Sequence, residues 1–245
     1  AELMYMDFTL MASDQIANQA GKWHYMVGGA VEVPLVYRVS VGGGKGYGGQ
    51  HSQSLESVFC HIPGLRVVYP SNAYDAKGLF KTAVRDNNPV LFVEGQLLYN
   101  EKGFVPEEDY LIPFGEAKTI QEGTDVSIIC WGPAVSDATI AAGQLAAEGV
   151  SAEVIDLRTL VPLDSEAIFA SVRKTGRCVV VSQCIDIGSF TGEIVSQVVN
   201  ECFDDLDAPP VKVGAKNGIA PQAHVLEKAF LPTADDIVQA AKGLI

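Results

Sequence analysis

The sequence predicts an α/β protein with mainly parallel sheets in two domains, and three observations lead there. Short β-branched runs bounded by Gly or Pro alternate with longer amphipathic stretches, the pattern of strand–helix units whose sheets are covered on both faces. The alternation breaks once, between Gly95 and Pro113. Over 245 residues, 48% are hydrophobic and only 19% charged, so the chain has far more apolar material than a disordered one and enough for a large core.

The strand candidates are PLVYRVSV at 34–41, RVVYP at 66–70, PVLFVE at 89–94, VSIICWG at 126–132, AEVIDL at 152–157 and RCVVVS at 177–182. Between them the spacing predicts helices over about 9–21, 54–61, 73–87, 134–148, 165–174, 189–203 and 234–243. Asp164 or Ser165 before EAIF, and Thr233 before ADDIV, stand where the first helical N–H groups need acceptors. The segment GQLLYNEKGFVPEEDYLIP, with two prolines and the run Glu107-Glu108-Asp109, reads as an interdomain linker at 96–113 between domains 1–95 and 114–245.

Charge and cysteine usage exclude several classes. Seventeen Lys and Arg against 30 Asp and Glu give −13, of which residues 114–245 carry −9. Nucleic-acid binding needs clustered basic residues, and no such stripe occurs. No run approaches the ~18 apolar residues of a membrane span, and the N-terminus lacks the basic-then-apolar order of a signal peptide. The expectation is a soluble chain of the cytoplasm, or of the mitochondrial matrix if the source is eukaryotic. Cys60, Cys130, Cys178, Cys184 and Cys202 form no CxxC pair and no disulfide framework, which points to a reducing compartment.

The most unusual stretch is Val41-GGGKGYGGQHSQS-Leu55, a glycine-rich loop leaving a strand. It is not a Walker A motif, because the leading glycine is missing and Gly46 stands where Ser or Thr would hold magnesium; nor is it a dinucleotide GxGxxG in a first strand–helix turn. A flexible surface turn is the plain alternative. His51, flanked by Gln50, Ser52, Gln53 and Ser54, argues for more, since an imidazole on such a loop beside orienting groups suits general acid–base work near neutral pH. His24 and His61 adjoin helix ends and His224 opens a C-terminal helix. No HxxxH, HExxH or GxSxG supports a zinc or serine hydrolase.

Together, the opening ELMYMDFTLMASDQIANQA, the loop ending in HSQS, PGLRVVYPSNAYDAKGL at 63–79, RDNNPVLFVE at 85–94 and VIDLRTLVPLD at 154–164 carry a resemblance. The whole chain resembles the β subunit of the thiamin-diphosphate-dependent 2-oxo acid dehydrogenase first component, in its pyruvate, branched-chain and acetoin forms, within the transketolase superfamily. The resemblance implies a pyrimidine-binding-type domain followed by a transketolase C-terminal-type domain. It further implies oxidative decarboxylation with acyl transfer to a lipoyl group, in a heterotetramer with an α subunit and on a lipoyl acyltransferase core. The α subunit would bring the diphosphate of the cofactor and its magnesium. No GDG followed by NN stands here in the spacing that holds a diphosphate, so the chain alone is expected not to bind thiamin diphosphate.

Residue by residue, Phe8 matches the aromatic lying against the pyrimidine, with a core Phe beside Leu3 and Leu10 as its plain alternative. His51 matches the histidine that faces the reacting carbon. The carbonyls of Leu35, Ala83, Val84 and Asp86, with Asn88, match a structural potassium site, whose plain alternative is a helix end capped by Asn and water. The chain opens at Ala1-Glu2-Leu3, which aligns after the family's pyrimidine-activating glutamate, so the N-terminal part of the first domain is expected to be absent and its sheet open at one edge. Gln183-Cys184-Ile185 stands where the family often places a carboxylate. Two other roles stay open: a non-catalytic docking module for the acyltransferase, and half of another transketolase-like enzyme.

Overall fold

The computed structural model describes residues 1–245. In the first half, β1 (Glu2–Leu3) leads through a 3₁₀ turn at Met6–Leu10 and π turns at Asp14–Ala20 into α1 (Gly21–Met26). Then come β2 (Val36–Val41), α2 (Glu56–Cys60), β3 (Arg66–Val68), α3 (Ala73–Ala83) and β4 (Val90–Gly95). The second half runs β5 (Lys118–Gln121), β6 (Val126–Cys130), α4 (Ala134–Ala147), β7 (Ala152–Asp156), β8 (Thr159–Val161), α5 (Ser165–Thr175), β9 (Cys178–Ile185), α6 (Phe190–Glu201), β10 (Val211–Ala215), α7 (His224–Phe230) and α8 (Ala234–Lys242).

Two five-stranded sheets result, ordered β1-β2-β4-β3-β8 and β10-β9-β6-β7-β5. All pairs are parallel except β3 with β8 and β5 with β7. The central strands β4, β6 and β9 are buried almost throughout, as parallel strands covered on both faces must be, and their apolar runs made them legible. The first sheet ends on the two-residue β1, whose outer edge has no strand partner, and is closed on the other side by β8.

Local chemistry sets the helix ends. Asp164 Oδ1 accepts from the Ala167 N–H at 3.1 Å to start α5, and Gly176, at φ 67°, ends it. Thr233 and Asp236 form a reciprocal capping box on α8. The helix expected over 9–21 starts later and ends at Met26. Thr9 Oγ1 donates to the Met6 carbonyl at 2.6 Å, holding the earlier residues in a single 3₁₀ turn. All five cysteines are free thiols; burial pushes those of Cys60, Cys130 and Cys184 well up and that of Cys178 up to about 12, so they are protonated core groups.

Two features tie the halves together. Residues 96–113 leave β4 through a 3₁₀ turn at Gln96–Asn100 and then strap α3: Tyr110 stacks on Tyr74 at 4.5 Å, Lys81 pairs with Asp109, and Ile112 is buried with Val68, Leu79 and Phe92. The chain also crosses from the second sheet into the first at Asp156–Val161, where β8 pairs with β3. At that crossing Arg158 Nη2 donates to Asp75 Oδ1 at 2.6 Å. Asp156 accepts from the Arg158 N–H at 3.0 Å and the Ser71 hydroxyl at 2.5 Å, and both carboxyls are fully buried.

Burial raises the Asp156 carboxyl to about 6; the Ser71 and Arg158 hydrogen bonds oppose the rise without cancelling it. Its folded pKa therefore lies above the ordinary aspartate value of 3.8. The native state holds the proton more tightly, so the stability from this group is fully present below pH ~4 and is lost as pH rises to about 6. Asp156→Asn keeps an acceptor for Arg158 and can donate to the Ser71 hydroxyl, which is free to reverse its role. The expected outcome in urea titrations is that the variant's stability relative to wild type rises from pH 4 to pH 6 and is flat above; parallel curves would refute the assignment.

Candidate functional site

The glycine loop 42–50 leaves β2 and delivers His51 beside two aromatic rings from the chain's opening turn. The His51 ring lies edge-on to Tyr5 at 4.5 Å and to Phe8 at 5.5 Å between centroids, and Tyr5 also meets Tyr47 at 5.7 Å. Edge-to-face pairs of this kind contribute ~0.5–1.5 kcal/mol beyond area burial. His51 and Phe8 are half-buried, so the cluster is packed on one side and reachable on the other.

Close packing explains the glycines. The Gly42 N–H donates to the His51 carbonyl at 3.1 Å, and a Cβ on Gly42 would come within 2.2 Å of that oxygen. Gly44 has φ +88°, and a Cβ there would meet Leu97 at 2.7 Å. A 3₁₀ turn at Gly48–Gln50 then hands the chain to His51, whose N–H reaches the Gly48 carbonyl at 3.3 Å.

Asp7, directly before Phe8, is a further member of the site. It is 7% exposed, its Oδ1 accepts from Gln53 Nε2 at 2.7 Å, and its Oδ2 is buried without a partner. The bond fastens the residues after His51 to the turn carrying Phe8. The one signal in the sequence was an acid inside the apolar MDFTL stretch. Behind the loop lies a cavity of about 310 Å³, into whose lining Ser52, Ser54 and Gln183 bring buried oxygens without hydrogen-bond partners. Hydrogen-bonding groups thus face that cavity.

The remaining candidates lie away from His51. Residues 83–88 form the turn after α3, close to the segment leading into β2. The Leu35 carbonyl accepts from the Val90 N–H at 2.8 Å and the Ala83 carbonyl from the Asp86 N–H at 3.3 Å; Asp86 Oδ1 accepts from both the backbone and side-chain nitrogens of Asn88 at 2.7 Å. Each carbonyl retains a second lone pair, and Val84 is half exposed. These residues offer oxygen donors, the donor type that a hard monovalent cation takes. Elsewhere His24 Nδ1 is paired at 2.8 Å with the Val31 carbonyl, and His61 caps α2.

The chain thus combines two linked α/β units with a histidine-bearing glycine loop beside an aromatic wall. Residues 1–102 match the transketolase pyrimidine binding domain and residues 115–237 the transketolase C-terminal domain. The chain is 44% identical over 245 residues to the acetoin:2,6-dichlorophenolindophenol oxidoreductase subunit beta of Bacillus subtilis, covering all of this chain and 72% of that protein. It is 46% identical over 242 residues to the protein of the same name in Cupriavidus necator, covering 99% and 72%. It is 43% identical over 241 residues to the pyruvate dehydrogenase E1 component subunit beta of Rickettsia felis, covering 98% and 74%. A solved structure described as a split gene transketolase, inactive beta4 tetramer, superposes with a TM-score of 0.79 at 25% identity, covering 100% of this chain and 74% of the other. The chain belongs to the transketolase-related family of β subunits of pyruvate and acetoin dehydrogenase first components.

Gly42→Ala places a methyl group against the His51 carbonyl and forces the imidazole off the Tyr5–Phe8 wall. The chain should remain folded, with near-unchanged far-ultraviolet circular dichroism, while His51 nitrogen and carbon shifts in labelled protein move. Unchanged shifts would show that Gly42 does not set the imidazole's place.

Proposed function

We propose that this chain is the β half of a thiamin-diphosphate enzyme that oxidatively decarboxylates a 2-oxo acid, or cleaves acetoin, and passes the acyl group to a lipoyl carrier. The observation that carries the reading is the placement of His51 against Tyr5 and Phe8 at the end of the glycine loop. Phe8 offers a ring face to the aminopyrimidine, and its half-burial leaves that contact available. When bound, the cofactor supplies an electron sink for the reacting carbon. His51 stands over the same space as a proton-holding group that stabilises developing charge. Asp7, through Gln53, holds the residues after His51 in register with Phe8.

In this reading the partner is an α subunit that contributes the diphosphate and magnesium site, with the two forming a heterotetramer on a lipoyl acyltransferase core. The word "subunit" in the relatives' names supports an assembly of unlike chains. Leu35, Ala83, Val84, Asp86 and Asn88 would hold a potassium ion that stiffens the turn after α3, and the domains would be 1–95 and 114–245 joined by 96–113. No helix is long and apolar enough to cross a membrane. Two plant relatives are named as mitochondrial, which supports a mitochondrial location for a eukaryotic source; for a bacterial source the proposed location is the cytoplasm.

The test combines the chain with an α subunit bearing the diphosphate motif and follows dye reduction with pyruvate, branched 2-oxo acids or acetoin. His51→Ala should lower turnover by roughly 10²-fold or more, the usual contribution of a positioned acid–base group. Its unfolding temperature should stay near wild type, because a half-buried loop side chain contributes little packing. Wild-type turnover in the variant would overturn the role of His51.

A further inference from the structure

The glycine loop that carries His51 makes few hydrogen bonds of its own. Six of the eight residues 42–49 are glycine, and within the loop Lys45 N–H reaches the Gly42 carbonyl at 3.1 Å. Glycine gains more conformational freedom on release than any other residue, so such a loop needs an outside constraint to keep one shape. One carboxylate supplies it. Glu227, on α7 in the second half of the chain, is 2% exposed; its Oε1 accepts from the Gly44 N–H at 2.9 Å and its Oε2 from the Gly46 N–H at 2.6 Å.

We propose that Glu227 is a positioning residue for His51, holding the glycine loop in the shape that presents the imidazole to the Tyr5–Phe8 wall. The proposal rests on the function proposed for His51. Gly44 and Gly46 have φ +88° and +74°, and their N–H groups converge in a concavity of the kind that holds anions. The carboxylate that fills it is separated from the loop by more than 180 residues in sequence. Neighbouring contacts have the same direction: Cβ atoms on Gly46 and Gly49 would meet His224 at 2.9 Å and Ile219 at 2.5 Å, so the segment 219–227 roofs the loop along its length.

A role confined to α7 does not account for the side chain. The helix uses the Glu227 backbone, which bonds to Ala223 and Leu231, while the carboxyl's other polar neighbour is the His224 ring, 4.0 Å away and 78% exposed. A buried carboxylate satisfied by two N–H groups of a distant loop is held there by that loop, and it holds the loop in return.

Glu227→Gln replaces one accepting oxygen by an NH₂ facing an N–H. In hydrogen exchange followed by mass spectrometry on the full chain, amides of residues 42–52 should exchange about tenfold faster, as loss of a charge-assisted bond implies, while both sheets keep their rates. In the α/β assembly turnover should fall about tenfold with KM within about threefold, the pattern of a lost transition-state interaction. Glu227→Asp, which keeps the charge, should restore part of both. In a His51→Ala background Glu227→Gln should cost nothing further, because the two residues act as one unit.

Unchanged exchange at 42–52 would overturn the proposal. So would undiminished turnover with a loosened loop, or an equal loss in the His51→Ala background. Wild-type turnover of His51→Ala alone would show that the His51 assignment had failed, and the exchange result would report on the clamp separately.

Discussion

Asp75 and Asp156 are fully buried carboxyls with Arg158 between them, and the position of one half of the molecule against the other depends on that arrangement. Buried charges of this kind persist only when each has its partner; removing one leaves another uncompensated at a cost of about 3–5 kcal/mol. Arg158 meets the requirement with its guanidinium on Asp75, its N–H on Asp156 and its carbonyl on the Tyr69 N–H at 2.9 Å. It does so at φ 57°, a conformation rare for a side-chain-bearing residue. The contacts bring the chain out of the second sheet at a fixed angle, and β8 can then pair with β3.

With a strand of the second half, β8, paired into the first sheet, the second half becomes a roof for the loops of the first. Trp131, after β6, donates to the buried Glu56 of α2 at 3.0 Å, and Phe190 N–H at the start of α6 reaches the Ser57 hydroxyl at 2.9 Å. Each bond joins one half to the other, and together with Glu227 they surround the strand-to-helix segment 42–57 that contains His51. The loop is placed by the fold as a whole. Gly46 and Gly49 are needed where the roof comes so close that a Cβ would collide with His224 and Ile219.

How much of this was legible follows from the range of each interaction. Strands such as VSIIC and CVVVS declared themselves because central parallel strands are apolar throughout, and the caps Asp164 and Thr233 because capping is local chemistry. His51 stood out as an imidazole among glycines and small polar residues, and Phe8 through resemblance. The three-residue β8, the two-residue β1 and the strap over α3 left no such mark, since they are too short or too irregular to carry a period. Asp7 and Glu227 were missed for another reason. Their partners, Gln53 and the loop glycines, lie 46 and more than 180 residues away, and one chain shows no pattern over that distance.

The chemistry around His51 also limits what this chain contributes. Ser52 and Ser54, one and three residues after it, have buried hydroxyls that make no hydrogen bond to the imidazole. Burial pushes the thiols of Cys60 and Cys184, near the Glu56–Trp131 contact, well up, which disfavours the thiolate form there. What remains at the cluster is an imidazole, an aromatic wall and a buried acid that orients the segment between them. In the proposed function such a set would move and hold protons and bind a flat ring, with covalent activation supplied by the cofactor. This division of labour agrees with a family in which chains of closely similar sequence serve both pyruvate and acetoin dehydrogenases, because the residues described here manage charge and orientation, needs that both substrates share.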